Sequence, residues 1–147
     1  MDVRAHPGSR RVPWTSSGEL AGSLAVRGID YEHVPALGGR RRPAPDSRNG
    51  GWENEQFRGY ADHMQTPEFQ GALLRLLGEE RRTALMCAEA QLWRCHRRLV
   101  ADALLTHGVE VLHIDARGET AAHELTEFAV VEGTSVVYPP VQEALEL

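Results

Sequence analysis

The chain has 147 residues, of which 41% are hydrophobic and 25% are charged, and it carries a formal net charge of −5. This length suits one domain with its own core and is short for two. No apolar run approaches the roughly 20 residues of a membrane span, and the acidic balance argues against a general nucleic-acid-binding surface. The first residues lack the apolar region of a secretory signal. The sequence therefore predicts a cytoplasmic protein whose two cysteines stay reduced.

The first 35 residues carry one helix signal and one strand signal. A capping box at Ser16 predicts a helix that ends at Gly28, with Leu20 and Leu24 facing inward. Residues 29–35 then alternate apolar and polar side chains, as a half-buried strand does. We therefore expect the chain to enter a sheet soon after its first helix.

The middle of the chain begins with a loop and continues with two helices. Residues 37–51 are mainly Gly, Pro, Asp, Asn and Arg, which predicts a long loop that is either functional or disordered. Residues 52–64 predict a helix with Trp52 and Tyr60 near the core. Thr66 and the proline after it are typical of a helix start.

The second half of the chain contains the remaining strand signals. Residues 83–87 are short and apolar and predict a buried strand. Residues 95–107 predict a helix, because apolar side chains share one face and a glycine follows. Residues 109–114 predict another strand, and residues 128–131 and 135–138 predict a closing hairpin.

This order of elements predicts an α/β fold. We expect a single three-layer domain over residues 1–140, with a mainly parallel sheet, helices on both faces and the C-terminal hairpin. Residues 141–147 are predicted to form a tail, which is either a short amphipathic docking segment or a frayed end.

Both cysteines lie in one short segment that also contains three arginines. Cys87 ends a predicted central strand, and ligands of open α/β sheets collect at that edge. A helix N-terminus follows, with Arg94 and Arg97 beside it, and such surroundings lower a thiol pKa and bind anions. The order is similar to the cradle of cysteine phosphatases and rhodaneses, but this loop is longer and contains no glycine. The sequence therefore predicts a thiol near an anion site.

Other interpretations of these residues stay open. Cys87 is equally well explained as an inert buried thiol. Cys87, Cys95 and His96 form a candidate set of ligands for a metal ion or a heme iron, although their spacing matches no standard zinc pattern. Trp52 and Tyr60 fit a core as well as a binding site.

Several separate motifs together resemble a known bacterial family. They are Asp2-Val3-Arg4, Leu37-Gly38-Gly39-Arg40-Arg41, Gly50-Gly51-Trp52, Phe57-Arg58-Gly59-Tyr60-Ala61, Met86-Cys87-Ala88-Glu89 and Cys95-His96-Arg97. In this order they resemble the family catalogued as domain of unknown function 488, from residue 2 to about residue 139. Members of that family usually begin with a strand and a helix before the Asp-Val-Arg motif, and this sequence starts at the motif. Because a missing strand would expose apolar surface, a homodimer is one expectation.

The resemblance implies that its polar motif residues belong to one site, and together with the local patterns it leads to a set of expectations. We expect a cysteine-centred small enzyme, a thiol-dependent transferase, hydrolase or redox enzyme, acting on an anionic or nucleotide-like small molecule. The alternatives are a ligand- or nucleic-acid-binding module without catalysis and a metal- or heme-dependent enzyme. The expected catalytic residues are Cys87, Glu89 and His96, and the expected substrate-binding residues are Asp2, Arg4, Arg40, Arg41, Arg94, Arg97 and Tyr60.

Overall fold

A computed structural model describes residues 1–141 of the chain. Within this range the helices are α1 (Ser17–Ala25), α2 (Glu55–His63), α3 (Pro67–Leu77) and α4 (Arg97–Thr106). The strands are β1 (Leu112–Ile114), β2 (Thr120–Ala122), β3 (Val130–Glu132) and β4 (Ser135–Val137), and short 3-10 turns occupy Pro13–Thr15, Pro35–Leu37 and Leu92–Arg94. No helix in residues 1–141 is long and apolar enough to cross a membrane. Most of the predicted tail, residues 142–147, lies outside the described residues.

The predicted mainly parallel, three-layer α/β fold is wrong. The strands form two separate two-stranded antiparallel sheets, β1 with β2 and β3 with β4. The predicted strand at residues 109–114 turns back at once, because the Asp115 carboxylate accepts from the backbone N–H groups of Arg117 and Glu119, at 2.8 and 2.9 Å. Gly118 completes that turn with φ of 81°. The backbone of this segment therefore pairs with its neighbour in a local hairpin, and no crossover to a parallel strand is formed. The predicted C-terminal hairpin is present as β3 and β4.

Asp2 makes the only parallel pairings in the described part of the chain. It forms one isolated bridge with His33 and another with Met86. The Asp2 N–H donates to the Glu32 carbonyl at 2.7 Å, and the Val3 N–H donates to the Met86 carbonyl at 2.9 Å. Two residues after His33, Pro35 has no N–H to extend the ladder. The predicted strands at 29–35 and 83–87 thus each meet the first residues of the chain at a single bridge, which still places the residues after Asp2 beside those after Met86.

The core contains buried side chains from α2, α3 and α4. Its largest fully buried side chains include Tyr60, Phe69 and Leu99. The helix starts follow local capping: the Asn54 side chain accepts from the Gln56 N–H at 2.8 Å, and the Thr66 hydroxyl accepts from the N–H three residues later at 3.3 Å. These caps place the start of α2 later than predicted and confirm the predicted start of α3.

Buried aromatic residues confirm part of the predicted core, and α1 contradicts another part. Trp52 is 7% exposed and Tyr60 is 1% exposed, as expected. In α1 no residue is fully buried, and the side chains of Leu20 and Leu24, which were expected to face inward, are only partly buried. This helix contributes little to the core.

Candidate functional site

A cavity of about 370 Å³ opens beside Cys87, at the point where the bridged segments end. Its volume lies within the range of small-molecule sites. Seven of the predicted site residues line it: Arg4, Arg40, Tyr60, Cys87, Glu89, Arg94 and His96. Three guanidinium groups and one thiol therefore share a single cavity.

Arg4 reaches this cavity while held by a buried carboxylate. The Asp2 side chain is fully buried and lies 2.6 Å from Arg4 Nη2, and Arg4 Nε donates to it at 2.9 Å. The Tyr31 hydroxyl donates to the same carboxylate at 2.6 Å. Burial raises the pKa of Asp2, but the hydrogen bonds from Arg4 and Tyr31 outweigh it and hold that pKa below its ordinary value. Asp2 itself does not line the cavity, so its place is behind Arg4.

Cys87 and Cys95 form a thiol pair at the cavity wall. Their sulfur atoms and a ring nitrogen of His96 all lie within 4.8 Å of one another. Cys87 is partly buried and lines the cavity, whereas Cys95 is 2% exposed. The neighbouring Cys95 thiol is the largest cause that lowers the pKa of Cys87, and burial opposes it. The Cys87 sulfur beside it and burial raise the pKa of Cys95. The two shifts run in opposite directions, so the pair favours the thiolate at Cys87 and the protonated thiol at Cys95.

His96 stands just before α4 and is oriented by a backbone carbonyl. Its Nε2 lies 2.9 Å from the Val3 oxygen, and because a carbonyl only accepts, Nε2 carries the proton. Burial lowers the pKa of His96, so the ring is neutral near pH 7. A Cβ at Gly39 would lie 2.8 Å from His96 Nδ1, and the chain therefore needs a glycine there. The second nitrogen of the ring remains available as an acceptor.

The other predicted arginines face away from the cavity. Arg97 donates from Nε to Cys95 Sγ at 3.1 Å and also bonds the Glu89 carbonyl. Arg41 donates to the carbonyls of Gly38 and Pro35, at 3.1 and 3.0 Å. Both guanidinium groups hold the backbone that surrounds the site. Neither lines the cavity, and this separates them from Arg4, Arg40 and Arg94.

Tyr60 belongs to the core and to the cavity wall at once. Its hydroxyl donates to the Leu37 carbonyl at 2.7 Å, and its ring lies 4.9 Å from that of His96. Burial raises the pKa of Tyr60 well above its ordinary value. The phenol therefore stays neutral and supports the wall.

The sequence patterns did not point to several residues of this site, among them Tyr31 and Gly39. Tyr31, which holds Asp2, lies in the alternating segment 29–35, where its side chain was expected only to pack. Gly39 had a sequence signal, since it belongs to a glycine pair in the predicted loop, but its contact with His96 spans 57 positions of sequence. Long-range partners of this kind leave no local pattern.

A second cluster, also missed, joins α4 to the segment that follows it. His123 Nε2 donates to the buried Asp102 carboxylate at 2.7 Å, and His113 Nε2 lies 2.8 Å from His123 Nδ1. The Tyr138 hydroxyl and the Thr126 N–H also donate to Asp102, at 2.7 and 3.0 Å. A cavity of about 460 Å³ is lined by both histidines. We refer to these five residues as the Asp102 cluster.

Comparison with known proteins gives one match. A family model described as "Domain of unknown function DUF488" matches residues 1–104. This range contains every residue that lines the cavity beside Cys87, and of the Asp102 cluster it contains only Asp102. No curated protein and no solved structure matches the chain.

Proposed function

This chain belongs to the DUF488 family of domains of unknown function, and from that premise we propose that it is a thiol-dependent enzyme acting on an anionic small molecule. One observation carries the proposal: Cys87 lines the same cavity as Arg4, Arg40 and Arg94. A single ligand in this cavity can therefore contact both a nucleophile, the Cys87 thiol, and anion-binding arginines.

The proposed mechanism gives each cavity residue one role. The Cys87 thiolate attacks the electrophilic atom of the substrate, and the lowered pKa keeps it ionised near neutral pH. Arg4, oriented by Asp2, binds the anionic group together with Arg40 and Arg94. His96 and Glu89 line the same cavity, and we assign proton transfer to them.

Paired alkylating reagents test both halves of the proposal. Iodoacetate is anionic and iodoacetamide is neutral, so their rate ratio at Cys87 reports an anion site separately from thiol reactivity. We expect this ratio to exceed that of the urea-unfolded chain by about tenfold and to fall with added salt. Peptide mass spectrometry identifies which cysteine is modified.

Arginine variants supply the matched controls. Arg40→Gln and Arg94→Gln should lower the iodoacetate preference, whereas Arg42→Gln, at an exposed neighbour outside the cavity, should leave it unchanged. A ratio equal to that of the unfolded chain would contradict the anion site. Slow alkylation with a half-point near the free-thiol pKa of about 8.5 would contradict the activated thiolate and favour an inert buried cysteine.

A metal ion is the second candidate, because the ligand atoms of Cys87, Cys95 and His96 lie within 4.8 Å of one another. Two sulfurs and one imidazole suit Zn²⁺, and three protein ligands beside a cavity are typical of a catalytic zinc site. The donation from His96 Nε2 to the Val3 carbonyl is the outer contact such a ligand needs. These three ligand atoms lie close enough together to hold a single ion, so the candidate is a metal ion, and the heme alternative stays a prediction.

Zn²⁺ titration against a chromophoric chelator tests this candidate. Cys87→Ser and His96→Gln should each weaken binding, and His107→Gln, on a histidine that contacts only the end of α4 and its neighbours, should not. Unchanged chelator absorbance would exclude the ion. Nucleic-acid binding, a homodimer and a cytoplasmic location stay predictions, which salt-dependent binding, sedimentation and cell fractionation respectively would test.

A further inference from the structure

We propose that Cys95 is the resolving thiol for Cys87 and that the anionic substrates of this site are low-molecular-mass disulfides. This inference rests on the proposed thiol-dependent function and names its substrate class. It goes further because it gives a chemical role to the second cysteine, which a simple nucleophilic mechanism leaves unused.

The placement of the two sulfurs favours this role. They lie within 4.8 Å of each other, but only Cys87 lines the cavity, and Cys95 is 2% exposed behind it. A substrate therefore meets Cys87 first. Cys95 is then positioned to attack whatever group becomes attached to the Cys87 sulfur, while a bulky external disulfide is kept away from it.

The segment between the two cysteines has a conformation that allows their sulfurs to form a disulfide. Residues 88–94 form a loop with only a short 3-10 turn, Leu92–Arg94. A disulfide requires a sulfur–sulfur distance of about 2.05 Å. Rotation of the side chains and adjustment of this loop can supply the approach, because α4 begins only after Cys95.

Arg97 gives the second step an electrostatic partner. Its Nε donates to Cys95 Sγ at 3.1 Å, and its other end is anchored on the Glu89 carbonyl. A guanidinium in this position stabilises the negative charge that develops when the Cys95 thiol loses its proton. These two contacts orient the Arg97 guanidinium toward the Cys95 sulfur.

The chemistry balances in two exchange steps. The Cys87 thiolate attacks one sulfur of the substrate R–S–S–R, the substrate disulfide breaks, and R–S⁻ leaves while a mixed disulfide forms on Cys87. The Cys95 thiol then gives its proton to a leaving thiolate and attacks the Cys87 sulfur, which releases the second R–S⁻. The substrate gains two electrons and the protein ends as a Cys87–Cys95 disulfide. An external dithiol reductant restores the starting state.

The arginine-lined cavity favours disulfides whose R groups carry carboxylates. Arg4, Arg40 and Arg94 can bind these carboxylates during both steps. A neutral disulfide has no carboxylate for these arginines to bind. The rate difference between anionic and neutral disulfides therefore measures the contribution of the arginines to the reaction.

Intact-mass spectrometry after reaction with oxidised glutathione, an anionic disulfide, tests the inference. Wild-type protein should lose the mass of two hydrogen atoms, Cys95→Ser and Cys95→Ala should each accumulate the mixed disulfide on Cys87, and Cys87→Ser should form neither product. Bis(2-hydroxyethyl) disulfide is the neutral comparison. Arg40→Gln should slow the anionic reaction by about tenfold more than the neutral one, with Arg42→Gln as the control.

The outcomes separate this inference from the function on which it rests. If wild-type protein stops at the mixed disulfide, Cys95 is not a resolving thiol, although Cys87 remains a nucleophile. If iodoacetate modifies Cys87 rapidly and neither disulfide does, the substrate class is wrong and the thiol function stands. If no reagent modifies Cys87, both fail. Circular dichroism of each variant verifies that it is folded.

Discussion

The region of the Cys87 cavity and the Asp102 cluster each contain a buried carboxylate held by hydrogen bonds, yet the two carboxylates have different partners. Asp2 pairs with Arg4, which also lines the cavity. Asp102 accepts, among residues 1–141, from His123, Thr126 and Tyr138. Asp2 therefore orients a cation, Arg4, that lines a cavity. The donors to Asp102 are used in the hydrogen bonds of the cluster itself.

The origin of those partners explains the difference. Every group that donates to Asp102 comes from residues 123–138, so the cluster fastens the segment after α4 onto that helix. The partners of Asp2 are Arg4, which lines the cavity, and Tyr31, which precedes the bridge at His33. Similar hydrogen-bond lengths therefore accompany a structural clamp in one region and, in our proposal, an oriented binding group in the other.

The largest expected effect is on the clamp. Asp102→Asn should lower the free energy of unfolding by about 3 kcal/mol, because an amide N–H₂ would face groups that themselves donate and a buried charge-assisted network would be lost. Urea denaturation measures this loss. Glu124→Gln, exposed on the same segment, should change stability by less than about 0.5 kcal/mol. A loss under about 1 kcal/mol for Asp102→Asn would refute the clamp.

Asp2→Asn should cost about 2 kcal/mol, since it leaves the guanidinium of Arg4 without its carboxylate. Because Arg4 lines the cavity, added sulfate should recover part of that loss by binding the folded state. Thermal unfolding with and without sulfate measures the recovery. Added sulfate should not restore the stability of Asp102→Asn. If sulfate stabilised both variants equally, the proposed difference between the Cys87 cavity and the Asp102 cluster would be wrong.

Cys95→Ala should raise the pKa of Cys87 by about one unit, equivalent to about 1.4 kcal/mol, because it removes the main group that stabilises the thiolate. The pH dependence of Cys87 alkylation measures the shift. Cys95→Ser keeps a hydroxyl donor and should shift the profile less. An unchanged profile in Cys95→Ala would mean that the backbone at Ala88 and Glu89 stabilises the thiolate without the second thiol.

The smallest expected effect concerns His113. Burial, followed by the charge of His123, lowers the pKa of His113, so the unfolded chain binds a proton at a pH where the native ring is neutral. Its contribution to stability is therefore present above the unfolded pKa of about 6.5 and is lost as pH falls toward the native value. His113→Gln should weaken this pH dependence by less than about 1 kcal/mol, because water screens the partly exposed ring. Urea titrations at pH 7.5 and 5.5 measure it, and an unchanged slope would contradict the shift.

Local signals predicted several helices and missed how the strands pair. Thr66 starts α3 and the glycine after α4 adopts a left-handed φ of 78°, as their residue types indicate. The apolar segment around Met86 is a strand by composition, but it pairs through one bridge to Asp2. Periodicity reports that a segment has a face to bury, and it does not report whether a partner strand is long enough to form a sheet.

Residue order along the chain is enough to give the family, the helix boundaries that depend on neighbouring residues, and the concentration of thiols and arginines in one segment. Packing of distant segments is what makes Arg4, Arg40 and Arg94 line the cavity while Arg41 and Arg97 bind backbone carbonyls. Capping and turn signals act over a few residues, so they are readable in order along the chain. The direction of a guanidinium depends on which carbonyls and carboxylates packing leaves within its reach, and distant segments supply many of those partners.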